Sequence, residues 1–154
     1  MPLSITSPSF EMNGTIPARF TCDGENISPE LVFSNIPVGT KSLALTMEDP
    51  DVPRTIKPDG MWNHWVAWNM LPTVTGIGEG SEAPGVVGIN SRGNNKYGGP
   101  CPPDREHRYI FTLYALDSLL DISNNSSKDE LLVALDSHII EQAKLIGLYN
   151  RTDK

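Results

Sequence analysis

The sequence predicts an all-β, or mainly β, fold in which two antiparallel sheets pack as a sandwich, with one peripheral helix near the C-terminus. Thirteen glycines and thirteen prolines interrupt a chain of 154 residues, which favours short strands and loops over long helices. Several segments show strand patterns, and they do not alternate with helical segments as in a parallel sheet. The length suits one ordinary domain, so we expect residues 1–154 to share a single core.

The candidate strands differ in how much of their surface they should bury. In residues 41–48, apolar side chains alternate with smaller or polar neighbours, which is the pattern of a strand with one buried face. Residues 62–70 and 109–116 are apolar on both faces, which suits central strands covered on both sides. The shorter candidates are residues 3–6, 31–36 and 86–89.

The predicted helix covers residues 128–146. Ser127 can cap the amide of Glu130 while the Glu130 side chain reaches back, which is the capping box that opens many helices. We expect this helix to be amphipathic and to pack on the sandwich. The apolar residues near one stripe of it are Leu131, Leu135, Ile139 and Ile146.

The acidic balance of the chain limits the classes of partner. Twelve basic and nineteen acidic residues give a net charge of -7, which repels a phosphate backbone, so nucleic acid is not an expected partner. The first residues lack the features of a signal peptide, and no apolar run approaches the roughly 18 residues of a membrane span. We therefore expect a cytoplasmic protein without stable membrane insertion.

The two cysteines, Cys22 and Cys101, form no recognisable framework in the sequence. Their spacing fits neither a zinc site nor the several pairs of a disulfide-rich domain. We expect two small buried or loop residues without a redox role. The sequence alone leaves open whether the two side chains meet in space.

Polar residues that could form a site stand at the ends of the three longest predicted strands. Asp49 directly follows the first, His64 lies near the start of the second, and His107 and Tyr109 stand at the head of the third. If these strand ends lie together, the two imidazoles converge with Asp49 and with a glycine whose bare amide can approach a ligand closely.

Such a cluster suits an oxyanion. Imidazole and amide N–H groups donate to phosphate oxygens, Tyr109 adds a phenolic donor, and Asp49 can orient one imidazole tautomer. Arg108 either supplies positive charge or pairs structurally with an acid. We therefore predict a binding pocket for a small anionic or phosphoryl ligand, with no catalytic residue, no metal and no cofactor.

Other interpretations of these residues stay open. His64 can be an ordinary core histidine. Two histidines and an aspartate are also a metal-ligand set, although no His-x-His or Glu-x-x-His spacing accompanies them. A hydrolase would need a nucleophile, either Cys101 beside His107 or Ser91 in the glycine-rich residues 75–99, which we otherwise expect to form a long loop region. A metal-assisted or Cys101-dependent hydrolase is therefore the alternative function.

Four ordered motifs extend this picture. They are Thr21-Cys22-Asp23-Gly24 with Ser28-Pro29, Asp49-Pro50-Asp51-Val52-Pro53, Trp62-Asn63-His64-Trp65, and Gly99-Pro100 followed by His107-Arg108-Tyr109. Together they resemble the phosphatidylethanolamine-binding protein family, in particular its bacterial Raf kinase inhibitor-like branch, over nearly the whole chain. The resemblance implies two antiparallel sheets with peripheral helices, and a small pocket that binds phosphate, acetate or phosphoethanolamine-like groups.

The resemblance also implies partners and a set of ligand-binding residues. Eukaryotic members inhibit kinases or proteases or act in plant signalling, and bacterial members resemble dimers, which implies a kinase or protease partner and a homodimer. Arg105 stands where a glycine is common, and with Glu106 it can alter the charge preference of the pocket. Asp59-Gly60 lacks the eukaryotic aromatic residue, which favours a bare anion over an intact phospholipid head group. The implied ligand-binding residues are Asp49, His64, Gly99, Pro100, His107 and Tyr109.

Overall fold

The computed structural model describes residues 1–151, and its regular structure is mainly β. A 3-10 helix covers Ala18–Phe20, and a single α-helix, α1, covers Lys128–Leu135. The strands are β1 (Ser4–Thr6), β2 (Gly14–Thr15), β3 (Leu31–Ser34), β4 (Ser42–Asp49), β5 (Trp62–Met70), β6 (Gly76–Ile77), β7 (Val86–Val87), β8 (His107–Leu116) and β9 (Ile139–Tyr149). The predicted mainly β fold is confirmed, and each predicted strand is present.

The strands form two sheets, as predicted. The large sheet has the order β2-β9-β8-β4-β5-β7, and the small sheet has the order β1-β3-β6. All pairings are antiparallel except that of β2 with β9, which is parallel. The short strands β2 and β6 were not predicted, because two residues are too few to show a period-two pattern.

The core lies on both faces of the large sheet. One face of β4, with Leu43, Leu45 and Met47, packs in the main cluster toward the small sheet. The opposite face packs Ala44 in a second cluster with Leu131 and other residues of α1. The prediction of one buried face for β4 is therefore wrong, because β4 is a central strand and α1 covers the side that small residues leave accessible.

The prediction of a helix over residues 128–146 is wrong in its second half. The capping box of Ser127 and Glu130 is present, but α1 ends at Leu135 and the chain continues as β9. β9 pairs with β8 along its length, from Tyr149 opposite His107 to Ile139 opposite Leu116. This long ladder outweighs a weak helical stripe, and the alternating burial of Leu145, Gly147 and Tyr149 follows the strand period.

The helical part of the chain is small. α1 has eight residues, and no helix within residues 1–151 is long and apolar enough to cross a membrane.

Cys22 and Cys101 form a disulfide bond, with their Cα atoms 5.4 Å apart. The bond joins the loop after the 3-10 helix to the loop before β8, across a sequence separation of 79 residues. The sequence left open whether the two side chains meet, because the pairing is created by the fold and leaves no local spacing signal. Neither sulfur is a free thiol.

We predict that Cys22→Ser and Cys101→Ser each lower the free energy of unfolding by about 2–4 kcal/mol, because the cross-link no longer restricts the unfolded chain. Urea denaturation under oxidising conditions measures this difference. With excess dithiothreitol, the unmodified protein should unfold at the same urea concentration as the variants. Equal midpoints under oxidising conditions would contradict the prediction.

Candidate functional site

The polar strand ends predicted from the sequence meet at one edge of the large sheet. β4 runs antiparallel to both of its neighbours, β5 and β8. Its last residue, Asp49, therefore pairs with Trp62 at the start of β5 and lies near the start of β8 at His107. The two histidine-bearing strands are not neighbours, because β4 lies between them and brings Asp49 to the middle of the cluster.

A cavity of about 200 Å³ opens at this sheet edge. Polar side chains form one end of the cavity and apolar side chains form one side. The loop before β8 forms a wall. Of the six predicted ligand residues, Asp49, His64 and Gly99 line the cavity. The other three, Pro100, His107 and Tyr109, are buried and do not line it. The lining residues are Asp49, Val52, Ile56, Trp62, His64, Arg92, Gly99, Cys101 and Pro103.

His64 reaches the cavity because it is the extra residue of a β-bulge. Met47 pairs with Trp65 and Glu48 pairs with Asn63, so no residue of β4 stands opposite His64. A bulge turns one side chain away from the regular alternation and is common beside binding sites. A second irregularity lies toward the end of β5, where its register with β4 shifts between Leu43 and Leu45 of β4.

These irregularities change which side chains share a face. A strict period of two, counted along the sequence, predicts that His64 shares its face with Trp62, Val66, Trp68 and Met70. That prediction is wrong, because Met70 packs in the main core whereas Val66 and Trp68 pack on the side of α1. A bulge inserts one extra residue, so side chains before and after it no longer alternate with a period of two.

The His64 imidazole is held by backbone and presents one free nitrogen. Nδ1 lies 2.8 Å from the Gly98 carbonyl oxygen, and the Gly98 amide donates to the His64 carbonyl. A carbonyl oxygen only accepts, so Nδ1 carries a proton, and in the neutral ring Nε2 therefore carries a lone pair. Nε2 is buried and has no partner within residues 1–151.

The pKa of His64 is far below its ordinary value of 6.5, at about 4. Burial is the main cause, since desolvation disfavours the imidazolium, and the positive charge of Arg92 and the nearby His107 act in the same direction. The hydrogen bond to Gly98 opposes the shift. His64 is therefore neutral at pH 7.

His107 lies behind the cavity and is fully buried. Its Nδ1 is 2.6 Å from Asp49 Oδ2, and its Nε2 is 2.7 Å from Asp104 Oδ1. Each ring nitrogen faces a carboxylate oxygen, so neither is left for a ligand. His107 thus positions Asp49 instead of contacting the cavity. Burial raises the pKa of Asp49, whereas the bond from His107 lowers the pKa of Asp104.

Two arginines near the site have different surroundings. Arg108 donates from Nε and Nη2 to the two carboxylate oxygens of Asp51, at 2.9 and 2.8 Å, and these bonds lower the pKa of Asp51 to about 2. Of the two roles we considered for Arg108, the structure shows the pairing with an acid. Arg92 lines the cavity, is exposed, and pairs with no carboxylate among residues 1–151.

Tyr109 is buried on β8, and its ring meets the His64 ring edge-on with centroids 5.3 Å apart. The phenol Oη has no hydrogen-bond partner in the described part of the chain. Burial, and then the nearby charge of Asp49, raise the pKa of Tyr109, so the phenol keeps its proton. The Asp49 carboxylate lies close enough to influence this phenol, but no hydrogen bond of normal geometry joins the two side chains.

Gly99 and Pro100 shape the wall of the cavity. A Cβ on Gly99 would lie 2.6 Å from the Phe20 carbonyl oxygen and would also collide with Asn26, so only glycine allows the two loops to pack this closely. The Pro100 carbonyl accepts the amide of Cys22, beside the disulfide. Both residues therefore fix the wall by contacts with the neighbouring loop.

Two charged residues of the site were missed by sequence reasoning. Arg92 lies in the glycine-rich segment, on a turn in which Asn90 Oδ1 accepts the amides of Arg92 and Asn94. The Asn90-Ser91-Arg92-Gly93 turn signature, with an arginine that has no acid beside it in the sequence, could have indicated it. Asp104 gave no signal, because its contact with His107 depends on the loop conformation.

The alternative chemistries find little support in this geometry. Cys101 is disulfide-bonded and is not a thiolate nucleophile. Ser91 Oγ accepts the amide of Asn63 and has no histidine partner within residues 1–151. Among residues 1–151, no group of three or more His, Cys, Asp or Glu side chains could hold a metal ion.

Because His64 is buried and neutral, we predict that it makes the protein less stable in acid. Below pH 6.5 the unfolded chain binds a proton at this imidazole, whereas the folded protein binds one only near pH 4. The free energy of unfolding should fall by about 1.4 kcal/mol per pH unit across this window, or roughly 3 kcal/mol in total. Urea denaturation from pH 7 to pH 4 measures it.

The control for this prediction is His64→Asn, whose amide can keep the bond to Gly98 but does not titrate. Its unfolding free energy should depend less on pH than that of the unmodified protein, by the amount attributed to His64. Parallel pH profiles for the two proteins would show that His64 does not cause the effect.

Comparison with known proteins gives this geometry a family context. The model of the phosphatidylethanolamine-binding protein family matches residues 6–150. A UPF0098 protein of Chlamydia pneumoniae is 47% identical over 150 residues, which cover 97% of this chain and 100% of the relative. A UPF0098 protein of Methanothermobacter thermautotrophicus is 44% identical over 155 residues, which cover 97% and 99%.

Solved structures agree with the sequence relatives. A phosphatidylethanolamine-binding protein homologue of Chlamydia trachomatis superposes with a TM-score of 0.95 and 43% identity, over 97% of this chain and 98% of that one. YbcL of Escherichia coli, described as a member of the mammalian PEBP family, gives a TM-score of 0.89 and 30% identity, over 99% and 100%.

Proposed function

This chain belongs to the phosphatidylethanolamine-binding protein family, and we propose that it binds a small anionic ligand, a phosphate or phosphoryl group, in the cavity at the ends of β4, β5 and β8. The observation that carries the proposal is a pair of buried polar atoms, His64 Nε2 and Tyr109 Oη, which have no partner among the described residues. Both belong to the polar cluster at this cavity.

Unpaired buried polar atoms are costly, and they usually mark a place where something else binds. Each one costs about 1–3 kcal/mol relative to a satisfied group. His64 lines the cavity, and the Tyr109 ring lies directly against the His64 ring. A polar ligand that reaches both atoms recovers this free energy.

The charge near the cavity favours an anion. Arg92 is a cation without a carboxylate partner among residues 1–151, in a chain whose net charge is -7. The Asp49 carboxylate is already engaged, because Oδ2 binds His107 Nδ1 and Oδ1 accepts the amide of Asp51. The positive charge of Arg92 is therefore available to a ligand.

The size and lining of the cavity set the class of ligand. A volume of about 200 Å³ is below the roughly 300–1,000 Å³ of sites for drug-sized molecules. A phosphate, a phosphoryl group on a small organic residue, or a small carboxylate fits such a space. Val52, Ile56 and Trp62 supply an apolar side on which a short organic part can lie.

We propose binding rather than turnover as the role of this site. The candidate nucleophiles are the disulfide-bonded Cys101 and Ser91, whose hydroxyl is held by the Asn63 amide. Both nitrogens of His107 are engaged by carboxylates, so it is not free to act as a general base toward a ligand. Saturable binding without ligand turnover is the expected behaviour.

The protein partner and the oligomeric state are predictions from the family resemblance. A kinase or protease regulated through the rim of the cavity, and a homodimer, are consistent with family membership and rest on it alone. The cytoplasmic location is also a prediction, and the Cys22–Cys101 disulfide is more typical of proteins from oxidising compartments.

Calorimetric titration with inorganic phosphate tests the proposed function, with Tyr109→Phe as the decisive variant. Removing a hydroxyl that has no protein partner should leave the melting temperature unchanged or higher. The same change should weaken phosphate binding about tenfold to 100-fold, which is the effect of one lost hydrogen bond to a charged group.

His138→Ala is the matched control, because His138 pairs with Asp117 beyond the far end of β8. Phosphate affinity should be unchanged in that variant. In NMR spectra of the unmodified protein, phosphate should shift the His64 ring signals and leave those of His138 in place. The absence of saturable binding, or equal affinity in Tyr109→Phe, would contradict the proposed site.

A further inference from the structure

The free nitrogen of His64 determines what kind of anion the cavity can hold. Its Nδ1 proton is committed to the Gly98 carbonyl oxygen at 2.8 Å, so in the neutral imidazole Nε2 accepts a hydrogen bond and donates none. Nε2 is buried and has no partner in the described part of the chain, on a side chain that is 6% exposed. The polar end of the cavity therefore contains an acceptor as well as donors.

The groups around His64 keep it in this state. Arg92, from the neighbouring loop, and His107, on β8, both disfavour a proton on the imidazole. Tyr109, also on β8, meets the ring edge-on and is itself protonated. Asp49, on β4, lines the same cavity, but its carboxylate is bonded to His107 and does not hydrogen-bond to His64.

An anion that fills this site must accept from one side and donate to the other. Its charged oxygens can accept from the Arg92 guanidinium, which lines the cavity. The Tyr109 phenol, a second donor, is buried beside the cavity against the His64 ring. Opposite Nε2 it must present a hydroxyl, because an oxygen without a proton would place two lone pairs against each other. Inorganic phosphate satisfies both requirements at neutral pH, since it still carries at least one proton.

We propose that this cavity selects protonated oxyanions, namely inorganic phosphate and the monoanions of phosphomonoesters, and rejects tetrahedral anions without a proton, namely sulfate and phosphodiesters. This inference rests on the proposed function, anion binding at the same site. It extends that function by assigning His64 as the residue that determines specificity.

This selectivity distinguishes phosphomonoesters from phosphodiesters, although both contain a phosphoryl group. A phosphodiester, as in the head group of most phospholipids, carries no ionisable proton and leaves Nε2 unpaired. A monoester loses its last proton with a pKa of about 6. Its affinity should therefore be level below pH 6 and fall by up to tenfold per pH unit above it.

The test is a calorimetric titration of the full chain with inorganic phosphate, sulfate, methyl phosphate and dimethyl phosphate at pH 7.5 and at pH 5.5. At pH 7.5 we expect phosphate to bind at least about tenfold more tightly than sulfate or dimethyl phosphate, the effect of one buried acceptor left unpaired. At pH 5.5 methyl phosphate should approach inorganic phosphate, whereas dimethyl phosphate should remain weaker.

His64→Asn is the variant that isolates the acceptor. The asparagine amide can keep the bond to Gly98, but nothing replaces Nε2. We expect the ratio of phosphate to sulfate affinity to fall toward one. Nitrogen-15 NMR of the unmodified protein gives a second readout that needs no variant, because Nε2 should show the shift of an unprotonated ring nitrogen at pH 7.

The outcomes separate this inference from the proposed function. Phosphate binding with weak sulfate binding supports both. Equal binding of phosphate and sulfate, or a protonated Nε2 in the ligand-free protein at pH 7, overturns the selectivity and leaves anion binding in place. No binding of any of the four anions overturns both.

Discussion

The position of β4 at the centre of the large sheet determines most of the molecule. Because it pairs with β5 on one side and β8 on the other, its last residue lies between the first residues of these two strands. Asp49 can therefore bind His107 while His64 stands across the cavity. Residues of β4 also contribute to the cores on both faces of the sheet, so the strand that supports the site supports the fold.

The fold class and the approximate site were predictable because they depend on local patterns. Strand periodicity, turn residues and polar side chains at strand ends are written in adjacent residues, and the structure brings Asp49, His64 and Gly99 to one cavity. The sequence did not reveal that β4 is buried on both faces. The residues on its second face are small or polar, and they are buried only because α1 covers them.

The remaining features depend on contacts between distant segments. β9 is a strand because β8 offers it a long ladder, which a helical stripe in residues 128–146 cannot reveal. The bulge at His64 is a mismatch between two strands, and the bond between Cys22 and Cys101 spans 79 residues. Asp104 reaches His107 only through the conformation of its loop. None of these relations has a signature within one stretch of sequence.

The disulfide has a further consequence for recognition, because Cys101 is part of the cavity wall. Binding sites built from loops usually lose affinity through the conformational entropy of ordering those loops around a ligand. Here the two loops are joined covalently and packed at Gly99 before any ligand arrives. The ordering entropy is lost once, during oxidative folding, and each later encounter meets a wall that is already in position.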